Sequence, residues 1–179
     1  MNKIRIDKKT SYIALMGILG AQALALSFFE NLIPAIPGLP PGAKPGFSNI
    51  ITMFTANTIG FWGAIIITII KSIFASVTRG LTAGLMSLSG GLLSTIIMVA
   101  LVNMKKRPFG LMGVSILSAI AHNLGQLIVA CIISGTAALA VSYGPLLLLF
   151  AIITGSITGT ILRIVMPALN KQLTQFTKG

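Results

Sequence analysis

Acidic side chains are almost missing from this sequence. Its 179 residues include two, Asp7 and Glu30, against thirteen lysines and arginines. Too little material remains for paired carboxylates in general acid/base catalysis, for clusters of hard-metal ligands, or for an aspartate-rich diphosphate site. One histidine, His122, cannot build a histidine-only zinc site, and one cysteine, Cys131, cannot close an intramolecular disulfide. A nucleotide-binding loop of the form GxxxxGK[ST] is also lacking, so an ATP-driven step would need other chains. The expectation is a protein that is not an enzyme and carries no metal and no cofactor.

Charged residues of both signs reach only 8%, against roughly 25% in soluble domains. What is present instead is apolar: 55% of residues are hydrophobic and the mean hydropathy is +0.97. Such a chain is expected to sit in the cell membrane as a multi-pass protein. The net charge of +11 does not point to nucleic acid, because binders of nucleic acid carry their basic residues on a solvated face. Here ten of the thirteen cations punctuate apolar segments in three clusters. These are Lys3, Arg5, Lys8 and Lys9; Lys105, Lys106 and Arg107; and Arg163, Lys171 and Lys178. Clusters of this kind mark cytoplasmic loops.

A hydrocarbon core about 30 Å thick takes roughly 20 residues per helix. Uncharged intervals then read as spans over 11–29, 81–102, 110–133 and 144–166, with breaks at 134–136 and 142–145. Residues 47–77 fit one tilted span or two short ones, and parity favours two. A single span would put the first two basic clusters on opposite sides of the membrane, against the positive-inside rule; a turn at Gly60, Phe61, Trp62 and Gly63 puts all three inside. The expected fold is an all-α, six-helix integral membrane bundle forming one transmembrane domain over 1–179, with both termini cytoplasmic and short spans at 47–59 and 62–77. Tyr12, Trp62 and Tyr143 then fall near the interfaces, as aromatic belts do. The outer connection at 30–46 contains Pro34, Pro37, Pro40 and Pro41, which preclude a regular helix; the run fits a stiff apolar cap or a plain connector.

Polar side chains inside apolar helices are costly in lipid and mark candidate sites. In the fifth span His122 and Gln126, four residues apart, share a face, and Asn123 lies about 100° around from His122. The three fit a cavity wall or interhelical hydrogen bonding. Lys71 lies too deep in the third span to snorkel easily and needs an acid, carbonyls or an anionic ligand; Glu30 is the acid within reach. Lys44 and Arg79 add cations on the same outer side, as solvated loop charges or as ligand contacts. Three cations against one carboxylate favour an anionic ligand, and Ser48 and Asn49 at the entry to the second helix add donors at a helix N-terminus. Small residues form a further pattern. Gly17, Ala21 and Ala25 recur every four residues on the first helix, Gly155 and Gly159 make GxxxG in the sixth, and Ser87, Gly90 and Gly91 notch the fourth. Such spacing serves packing within a bundle or docking of another membrane subunit.

Three stretches carry a family likeness: Glu30, Asn31, Pro34, Pro37, Gly38, Pro40, Gly42, Lys44, Gly46, Ser48 and Asn49; Ser89, Gly90 and Gly91; and Ala121, His122, Asn123, Gly125 and Gln126. Together they resemble the Gx transporter family, also labelled heptaprenyl diphosphate synthase component I, which is similar to the substrate-binding S-components of energy-coupling factor (ECF) transporters. The resemblance implies a six-helix membrane subunit that binds a small-molecule substrate in an outward-opening pocket. It further implies docking, through small residues of the first helix, onto a transmembrane coupling subunit carrying a pair of ATPases. Gly17, Ala21 and Ala25 hold the matching positions. The expected substrate is small, anionic and partly apolar, held by Glu30, Lys44, Asn49, Lys71, Arg79, His122, Asn123 and Gln126. The resemblance also admits a noncatalytic membrane anchor or accessory subunit in quinone and isoprenoid metabolism or in flavin-based extracellular electron transfer. A catalytic synthase is not expected from a chain with one aspartate.

Overall fold

The computed structural model describes residues 9–33, 46–104 and 109–178. Six helices follow one another: α1 (Lys9–Leu32), α2 (Asn49–Thr58), α3 (Phe61–Arg79), α4 (Leu81–Asn103), α5 (Leu111–Ser134) and α6 (Ala138–Lys178). All but α2 are long and apolar enough to cross a membrane, which makes this a multi-pass membrane protein. The many serines and threonines in these helices are accommodated locally. Thr55, Thr58, Thr68 and Ser72 each donate to the carbonyl four residues back, at 2.7 to 3.0 Å, which satisfies the hydroxyl without water.

α2 is the exception in length and in surroundings. Ten residues rise only about 15 Å, half the hydrocarbon thickness. Its residues 50–58 are all buried, because α1, α3, α4 and α6 pack around it. A helix too short to span is thus kept from lipid by its neighbours. The turn into α3 falls at Ile59 and Gly60, and Gly60 has φ of 114°, a conformation that a Cβ would oppose. Helix α3 restarts at Phe61, where Trp62 is 73% exposed and meets the Phe61 ring edge-on at 5.3 Å.

Two expected connections differ. The link between α3 and α4 shrinks to Gly80 alone, since α3 stays helical through Arg79. The outer break at 142–145 is absent: α6 starts at Ala138 and runs through Pro145 and Pro167. Each proline removes one backbone hydrogen bond, a loss that tightly packed membrane helices tolerate.

Consecutive long helices pack side by side from α3 to α6, with α1 against α2, α3 and α6. The α4–α5 crossing is close because Gly90 and Gly125 face each other: a Cβ on Gly125 would lie 2.8 Å from the Gly90 Cα. Hydroxyl pairs Thr68–Thr95 and Ser115–Thr158, at 2.9 and 2.8 Å, join α3 to α4 and α5 to α6. The apolar core gathers Leu15, Leu19, Phe54, Ile67, Met98, Val114 and Leu162 around α2. The polar side chains collect toward the other end, where α1 finishes, α2 begins and α3 finishes.

Candidate functional site

A cavity opens at that end of the bundle. Counted as the space open to the centre of a water molecule, it measures about 50 Å³, room for more than one water. Glu30, Asn49, Lys71, Arg79, His122 and Gln126 line it, drawn from α1, α2, α3 and α5. Helical periodicity accounts for the convergence. Lys71 and Arg79 are two turns apart, about 12 Å, so one face of α3 carries a cation at the floor and another at the rim. Lys71 is 9% exposed, while Arg79 is exposed.

The floor is organised around residues 46–49. Glu30, 4% exposed, accepts from Ser48 twice: the backbone N–H lies 3.4 Å from Oε1 and the hydroxyl 3.2 Å from Oε2. On the next residue, Lys71 Nζ donates to Asn49 Oδ1 at 2.7 Å and approaches Thr52 Oγ1 at 3.5 Å. Opposite charges therefore grip adjacent residues at the start of α2, and the Glu30 carboxylate interacts electrostatically with both Lys71 and Arg79. The donors at the α2 N-terminus expected to receive a ligand anion are in part taken by Glu30 itself.

The α5 wall is set by one hydrogen bond. Gln126 Nε2 stands 3.1 Å from His122 Nε2, so an amide nitrogen donating there leaves the ring proton on Nδ1. Nδ1 is buried beside the Gly90 backbone of α4. A side chain on Gly90 would run into the His122 carbonyl at 2.6 Å, so the glycine lets the ring sit this close to α4.

One expected site residue, Asn123, does not line this cavity, and another, Lys44, lies outside the described residues. Asn123 faces away: its amide donates to the Leu147 carbonyl of α6 at 3.0 Å. The 100° step from His122 carries it to the α5–α6 contact, which makes it an interhelical tie. Lys44 and the proline-rich run at 34–42 lie outside the described residues, as do the basic clusters at residues 3–8 and 105–107. In the other direction, the cavity also includes Ser27, Asn31, Phe74 and Ser87. Ser27 stands one turn before Glu30, and Phe74 one turn after Lys71, so stepping three residues from the recognised charges finds both.

The small-residue stripes divide by role. Gly155 is a packing residue, since its Cβ would lie 2.6 Å from the Ile116 Cα. By contrast Gly17, Ala21 and Ala25 are all exposed along α1, and a Cβ on Gly17 would meet nothing within 4 Å. They form a shallow strip bordered by Ile18, Phe28 and Leu32, each at least 40% exposed.

No curated protein matches the chain. Among solved structures, that of the S component of a bacterial ECF transporter superimposes with a TM-score of 0.57 at 21% identity, over 96% of this chain and all of that one. At this identity the likeness is one of fold. Residues 19–165, most of the chain, match the family model described as heptaprenyl diphosphate synthase component I, and the protein belongs to that family.

Proposed function

We propose that the protein is a noncatalytic, substrate-binding membrane subunit of the ECF S-component type, taking up a small, anionic and partly apolar molecule. The observation that carries this reading is the convergence of Glu30, Asn49, Lys71, Arg79, His122 and Gln126 on one cavity at the end of an S-component-like fold. Two cations against one carboxylate leave the cavity attractive to an anion. Lys71 and Arg79 would meet the negative group, His122 and Gln126 would give it directional hydrogen bonds, and Phe74 would supply apolar contact. Lys44 would add a third cation from the outer connection. The basic clusters support cytoplasmic termini, with the cavity opening outward and α2 completing six crossings inside the bundle.

The exposed strip of Gly17, Ala21 and Ala25 would receive a transmembrane coupling subunit with its ATPase pair, since small residues let a partner helix approach closely. A second reading draws on the family description: a noncatalytic accessory or anchor in isoprenoid, quinone or flavin-linked redox metabolism. The test is gentle extraction followed by native mass spectrometry and protein identification. Recovery with a coupling subunit, two ATPases and a retained small anion supports uptake; recovery with a flavoprotein or prenyl-handling enzyme and no retained anion favours the second reading. Retention of the anion should fall at least tenfold in Lys71→Met and Arg79→Met.

A further inference from the structure

Beneath the charged cavity lies a smaller chamber of about 20 Å³, on the same measure, enough for one water. Gly46 and Asn49 line both spaces, so the two adjoin. Its walls are unlike those above. The hydroxyl-bearing residues Ser94, Ser115, Ser118 and Thr158 face it together with Met53 and Met98, and its lining includes no charged side chain.

Ser118 is the informative residue. It is 3% exposed, and its Oγ is buried with no hydrogen-bond partner among the described residues. Half of the buried serine and threonine hydroxyls among the described residues donate to the carbonyl four residues back, as Thr154 and Thr158 do at 2.9 Å. Ser115 is instead paired across helices with Thr158. Ser118 does neither. Buried hydroxyls in folded proteins almost always find a partner, so an orphan beside a water-sized space marks a missing one. The partner is neutral: no countercharge is at hand, and the Lys71 ammonium on the far side of Asn49 opposes a cation.

We infer that the chamber around Ser118 is a second, deeper subsite that binds a neutral hydrogen-bonding group. Its source is one water, or the hydroxyl, carbonyl or amide end of a solute whose anionic end lies in the outer cavity. The chamber stands on its own geometry; only the solute source rests on the proposed uptake function. Flexible Met53 and Met98 let the space widen around such a group.

The test uses the full chain in nanodiscs. Alanine is the better helix former, so Ser118→Ala should melt at or above wild type if the hydroxyl is simply unpaired. A bound partner reverses the sign: the expected result is a melting temperature lower by about 2–4 °C. Ser118→Val, which fills the chamber with methyl groups, should fall at least as far. An unchanged or raised melting temperature in Ser118→Ala overturns the inference, whatever the outer cavity binds. A crystal structure of the wild type then separates the sources. An isolated peak on Ser118 Oγ means water, density continuous past Asn49 means solute, and an empty chamber overturns the inference. Failure of the uptake reading alone would leave the isolated peak in place.

Discussion

Replacing Lys71 by methionine keeps the length of the side chain and removes the ammonium that holds Asn49 at 2.7 Å. The carboxylate of Glu30, 4% exposed, would then keep Ser48 as donor and, among the described residues, Arg79 as a countercharge. Breaking a buried pair by deleting one partner costs about 3–5 kcal/mol where nothing else compensates. With Ser48 and the exposed Arg79 still in place, the expected loss is about 2–3 kcal/mol, or roughly 5–10 °C in melting temperature for a chain of this size. Glu30→Gln alone should cost less, about 1–2 kcal/mol, because the amide oxygen still accepts from Ser48. In the double variant neither buried charge survives, so its loss should fall short of the sum by about 1–3 kcal/mol. The assay is thermal melting of the four proteins in nanodiscs. Losses that add to within about 0.5 kcal/mol would refute the claim that Glu30 and Lys71 act together on residues 46–49.

Three further outcomes follow from the packing. Gly125→Ala would press a methyl onto the Ser89 carbonyl at 2.7 Å, and backbone on both helices cannot yield, so melting should reveal a loss of about 1–3 kcal/mol. Asn123→Leu should lose about 1 kcal/mol with its bond to the Leu147 carbonyl yet keep its retained anion by mass spectrometry, whereas Gln126→Leu should release the anion. Ala21→Leu, on the exposed strip of α1, should melt within about 0.5 kcal/mol of wild type and fail to co-purify with a coupling subunit.

The long helices were legible because lipid demands unbroken apolar runs, and such runs are rare for any other reason. Their ends were less so: Pro145 reads as a stop by the rules of water-exposed helices, but it sits within α6, where the surroundings offer no better partner for the backbone. The charged half of the site was legible through scarcity, since a lone glutamate and a deep lysine in apolar helices have few other reasons to exist. Periodicity alone cannot say toward which neighbour a face turns. His122, Asn123 and Gln126 looked alike in sequence, and the α4–α5 and α5–α6 contacts sort them. Ser118 was invisible for a related reason: a serine in a membrane helix ordinarily bonds its own backbone, and its failure to do so exists only in three dimensions.

Glu30 has a role in the charge balance that bears on selectivity. Lys71, Arg79 and the start of α2 all draw negative charge, and in the ligand-free protein the Glu30 carboxylate is the anion that meets them. A bound anion must therefore be attracted by what Glu30 leaves uncompensated, which favours a ligand that also donates or brings other contacts and disfavours simple inorganic anions. Glu30→Gln removes that internal competitor. Sulfate or phosphate should then stabilise the variant by binding, with a gain near 2.7 kcal/mol when the anion stands at about 100 times its dissociation constant. These salts also stabilise folded proteins nonspecifically, so the informative quantity is the excess over wild type at equal concentration. The double variant with Lys71→Met should lose that excess, since the deep cation is gone. An equal rise in all three proteins would mean that Glu30 does not stand in for a ligand's charge, and that its carboxylate serves only to hold Ser48.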